Sequence, residues 1–110
     1  MPRAPTTADA FNAVAEPRRR RILDLLAGGE RPVNELVEAL DVTQPAVSKH
    51  LRVLREVGLV EVRSEGRQRW YRLNGKALRP IGEWLRRYED EWNYRFEALD
   101  ELLREIQTEE

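Results

Sequence analysis

Residues 43–60 read TQPAVSKHLRVLREVGLV, and they place an amide at Gln44, a hydroxyl at Ser48, an ammonium at Lys49 and a guanidinium at Arg52. Positions three or four apart share one face of an α-helix. On a wheel of 100° per residue, Val47, Leu51, Leu54 and Gly58 fall within about 60° of arc and form the side that packs. Pro45, Ser48, Lys49, Arg52 and Glu56 lie opposite, with Gln44 at the helix start. The outward face is therefore rich in donors, acceptors and positive charge. Glutamine can pair with N6 and N7 of adenine, and lysine can donate to O6 and N7 of guanine. Ser48 can bond a base or a phosphate, Arg52 or Arg55 can reach phosphates along a groove wall, and the helix N-terminus offers free N–H groups to a phosphate.

The elements around this helix must hold it against a duplex. Val33, Leu36, Val37 and Leu40 recur at helical spacing, Asp41-Val42 makes a tight turn, and Thr43 caps the next helix, which runs to about Val57 before Gly58 stops it. Helix, short turn, helix is the layout of a helix-turn-helix, in which the N-terminal residues of the second helix meet base edges. Two β-like stretches follow, Leu59–Arg63 and Gln68–Leu73, joined by a glycine-containing turn. Arg67, Gln68 and Arg69 give that hairpin a basic tip suited to a neighbouring minor groove. The candidate DNA-contacting set is Thr43, Gln44, Pro45, Ser48, Lys49, Arg52, Arg67, Gln68 and Arg69. Upstream, a first helix is expected from about Thr7 to Ala15, with Thr6 as N-cap and Asp9 in the capping-box position. A second helix follows Pro17 and ends at Gly28-Gly29. The run Arg18–Arg21 points in several directions from that helix and is expected to serve local structure, some of it by pairing with acids such as Asp24.

Charge is segregated although the net value is −1. Residues 1–40 balance, residues 41–74 carry +3 and residues 75–110 carry −4, which separates a reading region from an acidic tail. The chain of 110 residues holds no cysteine and one histidine, His50. Disulfides, thiolate ligands and imidazole pairs are thereby excluded, and neither a metal nor another cofactor is expected. His50 borders the apolar arc near Leu54 and Val57, so a structural or hydrogen-bonding role is expected ahead of a phosphate contact. No apolar run approaches about 20 residues, and MPRAPTTADAF lacks a hydrophobic signal core; a cytoplasmic protein with no membrane partner is expected. The carboxylates scatter along helices, and neither a phosphate-binding glycine loop nor a nucleophile elbow is present, so an enzyme is not expected.

The C-terminal stretch reads as helix from Lys76 to about Gln107, interrupted or restarted at Pro80. Ile81, Leu85, Tyr88, Trp92, Phe96, Leu99, Leu103 and Ile106 step by three or four residues, and Trp84 and Leu102 widen the stripe. So many large apolar groups on one long helix need a partner surface. The expected dimer interface is Phe11, Val14, Trp84, Leu85, Tyr88, Trp92, Phe96, Leu99 and Leu103; the first and last helices packing within one subunit is compatible with it. The expected fold class is mainly α with a small β-hairpin. It is a winged helix-turn-helix in one domain, residues 1–110, with a reading core at 7–75 and a C-terminal dimerisation helix at 76–107.

From AEPRRRRILDLLAGG through QPAVSKHLRVLREVGLV to the wing GRQRWYRL, the chain resembles ArsR/SmtB-type winged-helix repressors over about residues 9–75. The resemblance implies a homodimer that binds a palindromic operator in double-stranded DNA and represses transcription. It places base and phosphate contacts on Gln44, Pro45, Ser48 and Lys49. Many members release DNA when a metal binds a cysteine pair in the third helix, where this chain has Val33 and Asn34, or histidines and acids on the C-terminal helix, which here has acids only. Metal sensing is therefore not carried over, and the effector stays open. The alternative functions are a winged helix used for protein–protein contact and a non-specific architectural DNA binder, the latter disfavoured by the slightly acidic net charge.

Overall fold

The computed structural model describes residues 9–109. In chain order it contains α1 (Ala10–Val14), α2 (Pro17–Ala27), β1 (Arg31–Pro32), α3 (Val33–Leu40), α4 (Gln44–Glu56), β2 (Val60–Glu65), β3 (Gln68–Leu73), a 3-10 turn at Gly75–Leu78 and α5 (Arg79–Glu109). The chain divides into two compact units at Pro80/Ile81. The first carries α1 to the 3-10 turn, and the second is the long helix α5.

Local signals set most helix ends. Asp9 is itself the N-cap of α1, its carboxylate accepting from the Asn12 N–H at 2.7 Å. It is therefore the cap and not the third residue of a capping box; Thr6 and Thr7, where the helix was expected to start, lie outside the described residues. Glu16 caps α2 by accepting from Arg19 N–H at 3.1 Å, with Pro17 in the first turn where its missing N–H costs nothing. Asp41 ends α3 in the left-handed region at φ 54°, and Gly58 follows α4 at φ 78°. Aspartate tolerates that region better than most side chains, whereas Gly58 adopts it without a Cβ penalty.

The core of the first unit forms where the helices and sheet meet. Ile22, Leu36, Val47, Leu54 and Leu59 are fully buried, and Leu51 is 1% exposed. The side of α4 that the wheel assigns to packing is thus the side that packs. Arg19 and Arg20 brace α1, donating to the carbonyls of Ala13 (2.7 Å) and Val14 (2.6 Å), and Arg21 reaches the carbonyl of Ala39 at 3.3 Å. The basic run does serve local structure, but its partners here are helix-terminal carbonyls left without intrahelical donors, not Asp24.

The sheet departs from expectation. A third strand, β1, joins the hairpin, giving the order β1-β3-β2 with both pairings antiparallel. Arg31 pairs with Tyr71 and Pro32 with Trp70. Two residues containing a proline carry no strand periodicity, and proline is tolerated here because β1 is an edge. The first hairpin strand is Val60–Glu65, one residue later and two residues longer than expected; Leu59 is instead buried in the core. The last helix starts at Arg79 after the 3-10 turn, not at Lys76.

Leu54→Ala empties a fully buried position on α4. It is expected to cost about 2–5 kcal/mol, read as a lower urea midpoint at fixed protein concentration. A cost under about 1 kcal/mol would show that α4 is not anchored there.

Candidate nucleic-acid interface

Only Asp41, Val42 and Thr43 separate α3 from α4. Asp41 reverses the chain and Thr43 starts the next helix, its Oγ1 accepting from the Ala46 N–H at 3.4 Å. Thr43 is thereby assigned first to capping, at an exposed position beside Gln44. With Val47, Leu51 and Leu54 buried, Gln44, Pro45, Ser48, Lys49 and Arg52 are all exposed.

The wing completes the site. Antiparallel partners share a sheet face, so Arg69 lies on the side of Tyr71 and Leu73, while Gln68, Trp70 and Arg72 alternate to the other side. Tyr71 is buried. Arg69 consequently stands over the helix-facing side of the sheet, and Gly66, at φ 63°, turns the chain just before Arg67. Gln44 and Ser48 converge with Arg67, Gln68 and Arg69 on a cleft of about 360 Å³, also lined by Pro32, Val33, Asn34 and Tyr71. A second depression of about 170 Å³ continues it past Ser48, Arg52, Arg55 and Arg69. Arg69 borders both. Pro45 and Lys49 line neither and stand exposed on the outer side of α4. Two lining residues fall outside the sequence-derived set. Arg55 lies one turn beyond Ser48 and Arg52, which helical spacing does signal. Asn34 reaches the cleft only because β1 docks the start of α3 beside the wing, and no local pattern carries that.

The arginines divide into two groups. Arg63 donates through Nε to both oxygens of Glu30 (3.0 and 3.1 Å) and through Nη1 to Glu65 (2.8 Å), with its guanidinium 5.5 Å from the Trp70 ring centre. Because Arg63, Trp70 and Pro32 occupy one cross-strand row, this side chain spans the sheet from β2 to the residue preceding β1. Its hydrogen bonds hold the Glu30 carboxyl below the usual carboxylate range. Arg72 holds Glu61 at 3.1 Å, and Arg31 faces Glu35 at 3.9 Å. By contrast Lys49, Arg52, Arg55, Arg67 and Arg69 form no ion pair among the described residues. The cations around the cleft keep their charge uncompensated, as a surface for phosphates requires.

His50 is half-buried behind the reading face, with Nε2 3.8 Å from Glu16 Oε2 and Nδ1 buried without a hydrogen-bond partner. Burial pushes its pKa below the ordinary value and outweighs the opposing pull of Glu16; Arg19, Arg18 and Lys49 add to the lowering. This is the structural position expected for it. Among the described residues no group of three or more His, Cys, Asp or Glu is arranged to hold a metal ion, and no helix is long and apolar enough to cross a membrane.

On α5, Trp84 and Tyr88 meet edge to face at 5.5 Å, and Tyr88 stacks on Trp92 at 6.4 Å. Tyr88, Trp92, Phe96, Leu99 and Leu103 are exposed, as are Phe11 and Trp84, while Val14 and Leu85 are intermediate.

A helix-turn-helix whose second helix presents Gln44 and Ser48 beside an arginine-tipped sheet defines a winged-helix DNA-binding protein. Residues 16–62 match the sequence profile of the bacterial regulatory proteins of the arsR family. The transcriptional repressor SdpR of Bacillus subtilis is 31% identical over 77 residues, covering 70% of this chain and 86% of that protein. The biofilm growth-associated repressor of Agrobacterium fabrum is 44% identical over 80 residues, 72% of this chain and 68% of its own. Among solved structures, an ArsR-like transcriptional regulator from Rhodococcus sp. RHA1 superposes with a TM-score of 0.68 at 31% identity, covering 90% of this chain and 91% of that one. The chain belongs to the arsR family and is a DNA-binding transcriptional regulator.

Because the native state disfavours charged His50, the unfolded chain binds more protons between the lowered native pKa and the ordinary value of about 6.5. Its stabilising effect is complete above that value and is lost as pH falls through the window. The melting temperature should therefore drop from pH 7.5 to 5.5 more steeply in the natural chain than in His50→Gln. Equal slopes would take His50 out of the pH response.

Proposed function

We infer that this regulator is a homodimeric repressor that reads a palindromic operator and acts in the cytoplasm by binding alone, without catalysis. The observation that carries the reading is the cleft between the start of α4 and the wing, bordered by cations that no carboxylate neutralises. Gln44 and Ser48 contact base edges, Lys49 reaches a guanine edge or the flanking phosphate, and Arg52, Arg55, Arg67 and Arg69 hold the backbone. Thr43, Pro45 and Gln68 shape the approach. The core at 7–75 reads DNA, and the C-terminal segment at 76–107 joins two copies with Phe11 and Val14 of the first helix. A two-fold axis then sets the readers about one helical turn, roughly 34 Å, apart. The acidic C-terminal segments add no phosphate attraction, so affinity rests on the two central regions and falls steeply with salt. Repression is supported by relatives named as repressors.

Selection of random duplexes at about 150 mM salt, where loose phosphate binding is suppressed, is expected to enrich an inverted repeat. A folded dimer that enriches no sequence would favour the protein-docking function instead. Lys49→Ala should lower operator affinity about tenfold, the scale of one good contact at about 1–3 kcal/mol, and leave the dimer intact. Unchanged affinity would remove Lys49 from the reading face. Trp92→Glu should impair self-association and operator binding together; a stable, DNA-competent dimer would place the interface elsewhere.

A further inference from the structure

Within α5, eight positions follow a strict alternation of four and three residues: Ile81, Leu85, Tyr88, Trp92, Arg95, Leu99, Leu102 and Ile106. That is the heptad spacing of helices that pair along a seam. Seven of the eight are apolar or aromatic, and Arg95 is the one charged group. It is not solitary, because its Nη2 lies 2.6 Å from Oε1 of Glu91, one turn back on the same helix. Beside it, Trp92, Arg95 and Phe96 line a depression on the helix surface. The charge also stands at a particular place. The midpoint of the stripe falls between Asn93 and Tyr94, and Trp92 and Arg95 are equidistant from it, as are Tyr88 and Leu99, Leu85 and Leu102, and Ile81 and Ile106.

We propose that Arg95 fixes how two copies of α5 pair: antiparallel about this midpoint, with each Arg95 guanidinium over the partner's Trp92 ring. The proposal rests on the homodimer inferred above and specifies its register. Parallel pairing in register sets every position against its own copy. Arg95 would then meet a second Arg95 in one layer of an apolar seam, and the C-terminal halves, residues 94–109 with five acidic and two basic side chains, would lie side by side. Antiparallel pairing replaces that repulsion with two identical cation–ring contacts. Glu91 keeps each guanidinium paired as the seam loses water, which a buried charge requires. Any slip of register moves Arg95 away from the aromatic ring and against an aliphatic layer. One charged position in a heptad seam is a known means of fixing register at some cost in stability. The depression at Trp92, Arg95 and Phe96 is where the partner's Trp92 seats.

The absence of native cysteine allows a direct test in the full-length chain. Leu85→Cys and Leu102→Cys proteins are mixed and oxidised, and wild-type self-association is measured by sedimentation. The expected result is cross-linking of one variant to the other at several-fold higher yield than of either to itself. Self-linking of Leu102→Cys would overturn the antiparallel register while leaving the homodimer standing. A wild-type dimer with no cross-link of either kind would remove the stripe as the seam. A wild-type monomer would overturn the homodimer itself. In parallel, Arg95→Glu should weaken self-association at least tenfold with helix content unchanged by circular dichroism; unaltered affinity would show that Arg95 does not set the pairing.

Discussion

The burial of Val47, Leu51 and Leu54 against the preceding helices is the contact on which the reading site depends. These side chains are almost completely withdrawn from water, and each is worth roughly 1.5–3 kcal/mol of transfer free energy. No rotation of α4 preserves that burial, so the opposite face is held outward. Gln44 and Ser48 are therefore presented by the same packing that stabilises the core. A slip of one residue along the helix would turn the face by 100° and aim apolar groups at the groove.

The arginines show how one residue type serves two purposes in a small protein. Where a guanidinium meets a carboxylate or a helix-terminal carbonyl, it braces structure: Arg19, Arg20 and Arg21 join α2 to its neighbours, and Arg63 ties the sheet from edge to edge. Its planar fork suits such multiple acceptance. Where the surroundings offer no acceptor, as at Arg52, Arg55, Arg67 and Arg69, the charge stays available. The acidic residues near the wing, Glu30, Glu61 and Glu65, are engaged by Arg63 and Arg72 on the sheet. Local neutralisation there leaves the cleft electropositive even though the chain as a whole is slightly acidic.

Segregation of charge also fits a symmetric assembly. A reader with few contacts gains affinity and specificity when a second copy doubles them at fixed spacing. The seam that sets this spacing has to be unambiguous, because a shift between the copies would move both half-sites relative to the duplex. A charged position within an otherwise apolar stripe supplies that discrimination by making wrong registers unfavourable.

The sequence by itself determined the helices from α2 onward, the turn between α3 and α4, and which face of α4 points outward. These follow from short-range rules: caps, the period of 3.6, a glycine at φ 78° after α4. It also separated the basic reading region from the acidic helix, since charge order along the chain survives folding. Tertiary structure alone decided the third strand, where Arg31-Pro32 has no strand signature and exists because Tyr71 and Trp70 offer a free edge. It alone brought Asn34 to the cleft and placed Arg69 on both depressions, because those positions depend on how the sheet docks against the helices. It also decided which arginines are occupied, for a guanidinium is neutralised by whatever lies within about 4 Å of it in space, and Glu30 and Arg63 are distant in sequence.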